Sequence, residues 1–226
     1  MDKKKNYADL KRFSEAQGIG LFGVASVKGI RKDFLIDASL ADKLDYGISL
    51  GVGLSAAILD EIKLAPTKLY FHHYRTVNAF LDQAALKVCN FIQKKGFQAL
   101  PIPASQILDW QSQKAHLSHK KVGLLAGLGW IGRNNLLVND KFGAQFRLCT
   151  VLTDMSLIVA RPLKKDCGNC RLCVESCPAQ AIHENYSDFD HLRCFEKLKE
   201  FQKQRLVDQY ICGVCVNVCR PKRKAA

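Results

Sequence analysis

Residues 167–178 read CGNCRLCVESCP, and this run decides how the rest of the chain is read. Cys167, Cys170 and Cys173 are each separated by two residues; Cys177 follows after three more, with Pro178 directly behind it. A second run consists of Cys194 and then Cys212, Cys215 and Cys219, the last two separated by three residues. An iron-sulfur cubane presents its iron corners a few ångströms apart, so a tight loop with two intervening residues wraps three of them. Such a loop does not easily reach the fourth corner, and in two-cluster proteins with this run the fourth cysteine ligates the other cluster. The spacing therefore predicts one [4Fe-4S] cluster on Cys167, Cys170, Cys173 and Cys219, and another on Cys194, Cys212, Cys215 and Cys177. Two zinc sites are the alternative, since Cys-x2-Cys pairs also make tetrahedral sulfur sites. Three successive cysteines at this spacing followed by Cys-Pro exceed what zinc uses.

The chain has 226 residues and ten cysteines, eight of them in the last 60 positions. The N-terminal MDKKKNYADLKRF is basic without the apolar core of a signal peptide, and no run approaches the ~18 apolar residues of a membrane helix. The expectation is a cytoplasmic protein without a membrane partner, whose clustered cysteines mean metal and not disulfides. Cys89 and Cys149 stand outside the runs and read as small buried hydrophobes. The formal charge of +13 overstates the basic character. Eight thiolates on two [4Fe-4S]2+ cores contribute about −4, leaving roughly +9. Lys and Arg are scattered, down to the tail RPKRKAA, without interleaved aromatics. That reads as a solvated basic surface suited to an acidic redox partner; RNA binding has no clear motif behind it.

Upstream, residues 6–17 predict a helix ended by Gly18, and IGLFGVASV and YGISLGVGL predict strands. Val77, Phe80, Leu81, Ala84, Val88 and Ile92 recur at helical spacing ahead of Lys94, Lys95 and Gly96, which predicts a long amphipathic helix. NLLV and AQFRLCTVLTD flank NDKFG and predict a β-hairpin. The fold class is thus α+β: a sheet domain over 1–160, then a ferredoxin-like double [4Fe-4S] domain over 161–226.

Residues 121–132, KVGLLAGLGWIG, carry a glycine triplet like a dinucleotide fingerprint. The fingerprint needs a helix after it to receive the pyrophosphate; RNNLLV and a hairpin follow instead, so the nicotinamide reading fails. No Walker loop, Ser-His-Asp set or His-Glu-x-x-His motif is present.

The segment Ala126–Gly132, Arg133, the Asn134-Asn135 turn, Leu152–Asp154 and the two cysteine runs together resemble the epoxyqueuosine reductase family, itself distantly related to reductive dehalogenases. FHHYR at 71–75, ahead of the long helix, is similar to that family's His-Tyr segment. The resemblance implies a nitroreductase-like sheet domain holding a cobalamin, reduced by the clusters and acting on a substrate, with electrons from a ferredoxin or flavodoxin. Gly127, Gly129, Trp130, Gly132, Arg133 and Asn134 are the implied cofactor-binding loop, its small residues letting the backbone approach a large ligand. The family's acidic Asp-Ser-Ala-Pro segment has no counterpart in LPIPASQILDWQSQ, where Asp109 is the sole carboxylate. The sequence ends soon after Cys219, without the helical-repeat segment many members carry, and this favours a substrate other than epoxyqueuosine. The alternative function is a ferredoxin-like electron carrier or activator for a larger redox partner.

Overall fold

The computed structural model describes residues 2–220. Its elements in chain order are α1 (Lys3–Ala16), β1 (Leu21–Ser26), α2 (Ala38–Ala41), β2 (Tyr46–Gly53), α3 (Ala56–Asp60), α4 (Lys68–Gln93), β3 (Ala99–Ile102), α5 (His119–Leu125), β4 (Trp130–Ile131), β5 (Leu137–Val138), β6 (Phe146–Thr153), α6 (Leu172–Ser176), α7 (His191–Lys203) and α8 (Val214–Val218). They form two compact units, and neither is continuous in sequence. The first contains Met1–Val52, Asn78–Leu128 and Arg147–Leu163; the second contains Gly53–Val77, Gly129–Phe146 and Lys164–Ala226. A division at residue 160 thus misses Gly53–Val77 and Gly129–Phe146, which group with the cysteine segment. All of the tail RPKRKAA except Arg220 lies outside the described residues.

The first unit is built on a four-stranded sheet in the order β1-β2-β6-β3. β1 pairs antiparallel with β2 from Leu21 opposite Gly51 to Ser26 opposite Tyr46, and β3 pairs antiparallel with β6. β6 is buried almost throughout, as a strand covered on both faces must be. One core gathers Ala25, Val27, Leu44, Val122 and Leu152. α1 starts because the Asp2 carboxylate accepts the Lys4 and Lys5 backbone N–H groups.

The stripe on α4 is buried at Val77, Leu81, Ala84, Val88 and Ile92, while Phe80 is exposed. The helix begins at Lys68, a turn before FHHYR, because the Thr67 hydroxyl accepts the Tyr70 N–H at 3.1 Å. FHHYR is accordingly inside the helix.

The predicted hairpin divides. Its turn forms, with Asn139 and Gly143 exchanging backbone hydrogen bonds of 3.0 and 2.9 Å. The ladder does not continue: Leu137 and Val138 pair with Ile131 and Trp130, and β6 joins the large sheet. Among the described residues no helix is long and apolar enough to cross a membrane.

The second unit has two small apolar clusters. Leu59, Ile62, Tyr70, Val207, Ile211 and Val214 form one. Trp130, Val138 and Ala144 form the other, with Cys167 and Cys219 packed against them.

Candidate iron-sulfur centres

α6 and α8 are five-residue helices packed on each other, and between them they distribute the cysteines. α6 carries Cys173 in its first turn and ends at Cys177; α8 carries Cys215 and ends at Cys219. Residues four apart are about 6 Å apart along a helix axis, so the two ends of each helix address different places. Cys167, Cys170, Cys173 and Cys219 line one cavity of about 130 Å³. Cys177, Cys194, Cys212 and Cys215 line a second, tighter one. The fourth cysteine of each run thus stands with the triplet of the other.

The loop bearing Cys167 and Cys170 is held in shape from below. Gly168 adopts φ +53°, the Cys170 N–H reaches the Cys167 carbonyl at 3.2 Å, and the Asp166 carboxylate accepts the Gly168 N–H at 2.7 Å. Arg133 donates to the carbonyls of Gly168 at 2.9 Å and Cys170 at 3.0 Å, and pairs with Glu184, which also pairs with Arg171. Asn134 donates to the Cys215 carbonyl at 3.5 Å. The far wall is anchored by buried Asn217, which donates to the Ile62 carbonyl at 2.9 Å.

The thiols are strongly biased against ionising on their own. Burial, reinforced by neighbouring thiolates, pushes Cys173 and Cys194 up to about 11 and Cys212 and Cys219 up to about 12, with Cys215 also raised well above the ordinary thiol. Two groups of thiolates in such surroundings need a cationic core among them. The sulfurs ring two cavities. Soft sulfur donors around a hollow fit an iron-sulfur cubane.

The glycine loop has a different job from the one its sequence suggests. A Cβ at Gly129 would lie 2.0 Å from the Val138 carbonyl oxygen, and one at Gly132 would lie 2.6 Å from Val138 Cγ2. Gly127, at φ +69°, faces the Arg161 carbonyl at 2.9 Å. The space a Cβ would take at these glycines is filled by the protein's own chain, so they permit close backbone packing. Trp130, Arg133 and Asn134 line the cavity of Cys167, Cys170, Cys173 and Cys219. Four of the six residues, Trp130, Gly132, Arg133 and Asn134, belong to the surroundings of that cavity, where Gly132 also approaches Cys167 Sγ.

The remaining candidates are structural. His73 Nε2 accepts the Ser55 N–H at 3.0 Å, and burial lowers its pKa; His72 contacts Thr76 on the same helix. Asp109 accepts the N–H groups of Gln111 and Ser112 and the Ser112 hydroxyl, which hold its carboxyl below the usual range. A carboxylate so stabilised is a poor proton donor near neutral pH. Trp110 is half-exposed, while Cys89 and Cys149 are buried in the first unit. Sequence reading missed His119, whose Nδ1 pairs with the Thr150 hydroxyl and Nε2 with the Pro103 carbonyl, both at 2.8 Å. Its burial pushes the imidazole down to about 4. It also took Asn139 only as a turn former, although Asn139 lines the first cavity.

Residues 166–222 match the 4Fe-4S double cluster binding domain, which places the cysteine segment of the chain among domains that carry two such clusters. The chain is similar to epoxyqueuosine reductase from Cyclobacterium marinum, 33% identical over 115 residues, covering 46% of this chain and 37% of that relative. Its fold is shared with a catabolic reductive dehalogenase solved with 3-bromo-4-hydroxybenzoic acid, at a TM-score of 0.77 and 17% identity over 96% of this chain and 32% of that one. A reductive dehalogenase structure described for B12-dependent dehalogenation gives 0.69 and 18% identity, over 81% and 26%. Epoxyqueuosine reductase from Streptococcus thermophilus gives 0.67 and 17%, over 96% and 66%. The match to the curated relative thus spans little more than a third of that protein's length.

Proposed function

We propose that this chain is an iron-sulfur reductase in which two [4Fe-4S] clusters take single electrons from a ferredoxin or flavodoxin and pass them to an acceptor in the sheet unit. The observation that carries the reading is the exchange of ligands between α6 and α8, which gives each cavity three cysteines of one run and the fourth of the other. The clusters are held by Cys167, Cys170, Cys173 and Cys219, and by Cys194, Cys212, Cys215 and Cys177. Likeness of fold to the B12-dependent dehalogenase supports a corrinoid as acceptor, with the sheet unit arranged as in nitroreductases. The relatives are named for reducing epoxyqueuosine and for dehalogenation, which suggests a reducible electrophile as substrate. The net charge of roughly +9 that remains with two clusters suits an acidic donor.

The test is purification without oxygen and a count of iron and sulfide, expected at about eight of each per chain for two [4Fe-4S] clusters. Cys219→Ser must perturb the cluster of the Cys167 loop, and Cys177→Ser that of the Cys212 loop; loss confined to each run's own triplet overturns the crosswise assignment. Cobalamin is then added with dithionite while the visible spectrum is recorded. Reduction of bound corrinoid through the clusters supports the acceptor, and full cluster loading without corrinoid binding leaves the chain an electron carrier.

A further inference from the structure

Two buried N–H donors beside the first cavity have no acceptor among the described residues: the Trp130 indole Nε1 and the Asn139 carboxamide Nδ2. A buried donor left unpaired costs about 1–3 kcal/mol, so folded proteins rarely keep two in one place without a partner there. Both side chains are fixed. The Asn139 Oδ1 is spent on the Phe142 N–H at 2.8 Å, which settles the amide orientation and leaves the NH2 group over. Trp130 is held by its strand pairing with Val138, with Lys165 Nζ 6.0 Å from its ring centroid.

The charges around this cavity are compensated: Arg133 by Glu184, Lys165 by Asp140 and Arg220 by Asp60. Among backbone donors near the cysteines, the Ala144 N–H is spent on the Cys219 carbonyl at 3.0 Å, and the Ala181 N–H reaches Cys177 Sγ at 3.4 Å. Side-chain donors are not balanced. Around the second cavity Pro178, Ala179, Ile182, Phe189 and Leu198 offer none, and Lys197 is paired with Glu200.

We infer that Trp130 and Asn139 donate hydrogen bonds to sulfur of the cluster held by Cys167, Cys170, Cys173 and Cys219, raising its reduction potential. The inference rests on the crosswise ligand sets proposed above. Negative charge on sulfur grows when a cluster gains an electron, so an N–H aimed at sulfur stabilises the reduced state more than the oxidised one. One electron from an external one-electron donor converts [4Fe-4S]2+ to [4Fe-4S]+, with no bond made or broken.

The experiment is an EPR-monitored redox titration of the full-length, cluster-loaded protein with dithionite, comparing wild type with Trp130→Phe, which keeps the ring and removes the donor. At a fixed potential the reduced-to-oxidised ratio of the first cluster falls about tenfold, a shift of about 59 mV for a one-electron couple, while the second cluster is unmoved. Cys170→Ser identifies which signal is the first cluster. An unmoved first midpoint, or a shift in the second, overturns the inference. Should Trp130→Phe fail to load, pulsed EPR replaces it: the chain has two tryptophans, so Trp110→Phe protein labelled with 15N-indole reports Trp130 alone. Hyperfine coupling of that nitrogen to the reduced first cluster is expected, and its absence overturns the inference. Iron and sulfide counts separate the two readings: counts near zero overturn the cluster assignment, whereas full counts with an unmoved midpoint overturn only this one.

Discussion

Gly143→Ala tests how tightly the turn after β5 is locked to the last cluster cysteine. Gly143 sits at φ +61°, and a Cβ there would lie 2.0 Å from the Cys219 carbonyl oxygen and 2.7 Å from the Cys219 and Arg220 carbonyl carbons. All three atoms are backbone, so no side chain can swing aside. The left-handed conformation alone costs an alanine roughly 1–2 kcal/mol. Moving the Cys219 carbonyl also breaks its hydrogen bond from the Ala144 N–H, now 3.0 Å, worth about 1 kcal/mol. The expected loss is about 3 kcal/mol, or roughly 6–12 °C in Tm for a chain of this size. Two companion variants apportion it. Gly96 has φ +84° and nothing within 4 Å of its Cβ position, so Gly96→Ala carries only the conformational cost of about 1–2 kcal/mol. Gly29 has neither feature, and Gly29→Ala is expected within about 0.5 kcal/mol of wild type. The assay is anaerobic thermal unfolding at one scan rate, with the iron content of each variant measured beforehand. Gly143→Ala alone is expected to load the first cluster poorly. If it matches Gly96→Ala in Tm and carries full iron, the contact between Gly143 and Cys219 does not constrain the site.

His119, with its pKa lowered to about 4 by burial, stays neutral in the folded chain at pH 5, whereas the unfolded chain binds a proton below about 6.5. Its contribution is therefore complete above pH 6.5 and declines as pH falls towards 4; by pH 5 about 2 kcal/mol is lost. Denaturant unfolding of wild type and His119→Asn at pH 7.5 and 5 should differ by that amount, and parallel pH profiles would refute the assignment. Arg133→Lys removes the fork that spans the Gly168 and Cys170 carbonyls. At about 1.5 kcal/mol for one lost charge-assisted bond, chelator-driven iron loss should quicken roughly tenfold, read as bleaching of the cluster absorbance.

What the sequence disclosed was whatever repeats at a fixed interval. The stripe from Val77 to Ile92 has the period of a helix, and the cysteine spacing reflects the corners of a cubane; both are local rules. The hairpin failed because NLLV is equally able to pair forwards or backwards. The choice was made by Trp130 and Ile131, which pair with Val138 and Leu137 from the N-terminal side. The start of α4 was in reach, since Pro66-Thr67 is a start signal and the Thr67 hydroxyl does cap it. The glycines of KVGLLAGLGWIG show the deeper limit. A missing Cβ announces that something comes close, but only coordinates reveal that at Gly129 it is the Val138 carbonyl and not a ligand. The grouping of Gly53–Val77 with the cysteine segment was equally hidden, because it depends on contacts such as Asn217 to Ile62 that span 155 positions.

The exchange of cysteines between α6 and α8 also orders events in time. On a ribosome the Cys167 loop emerges well before Cys219, and Cys177 well before Cys212 and Cys215. Neither cavity has its full wall until α8 has left the exit tunnel. With the ligand sets proposed above, a complete set would exist only once synthesis has run through Cys219, and a truncated chain lacking α8 would be left with two incomplete cages and not one finished one.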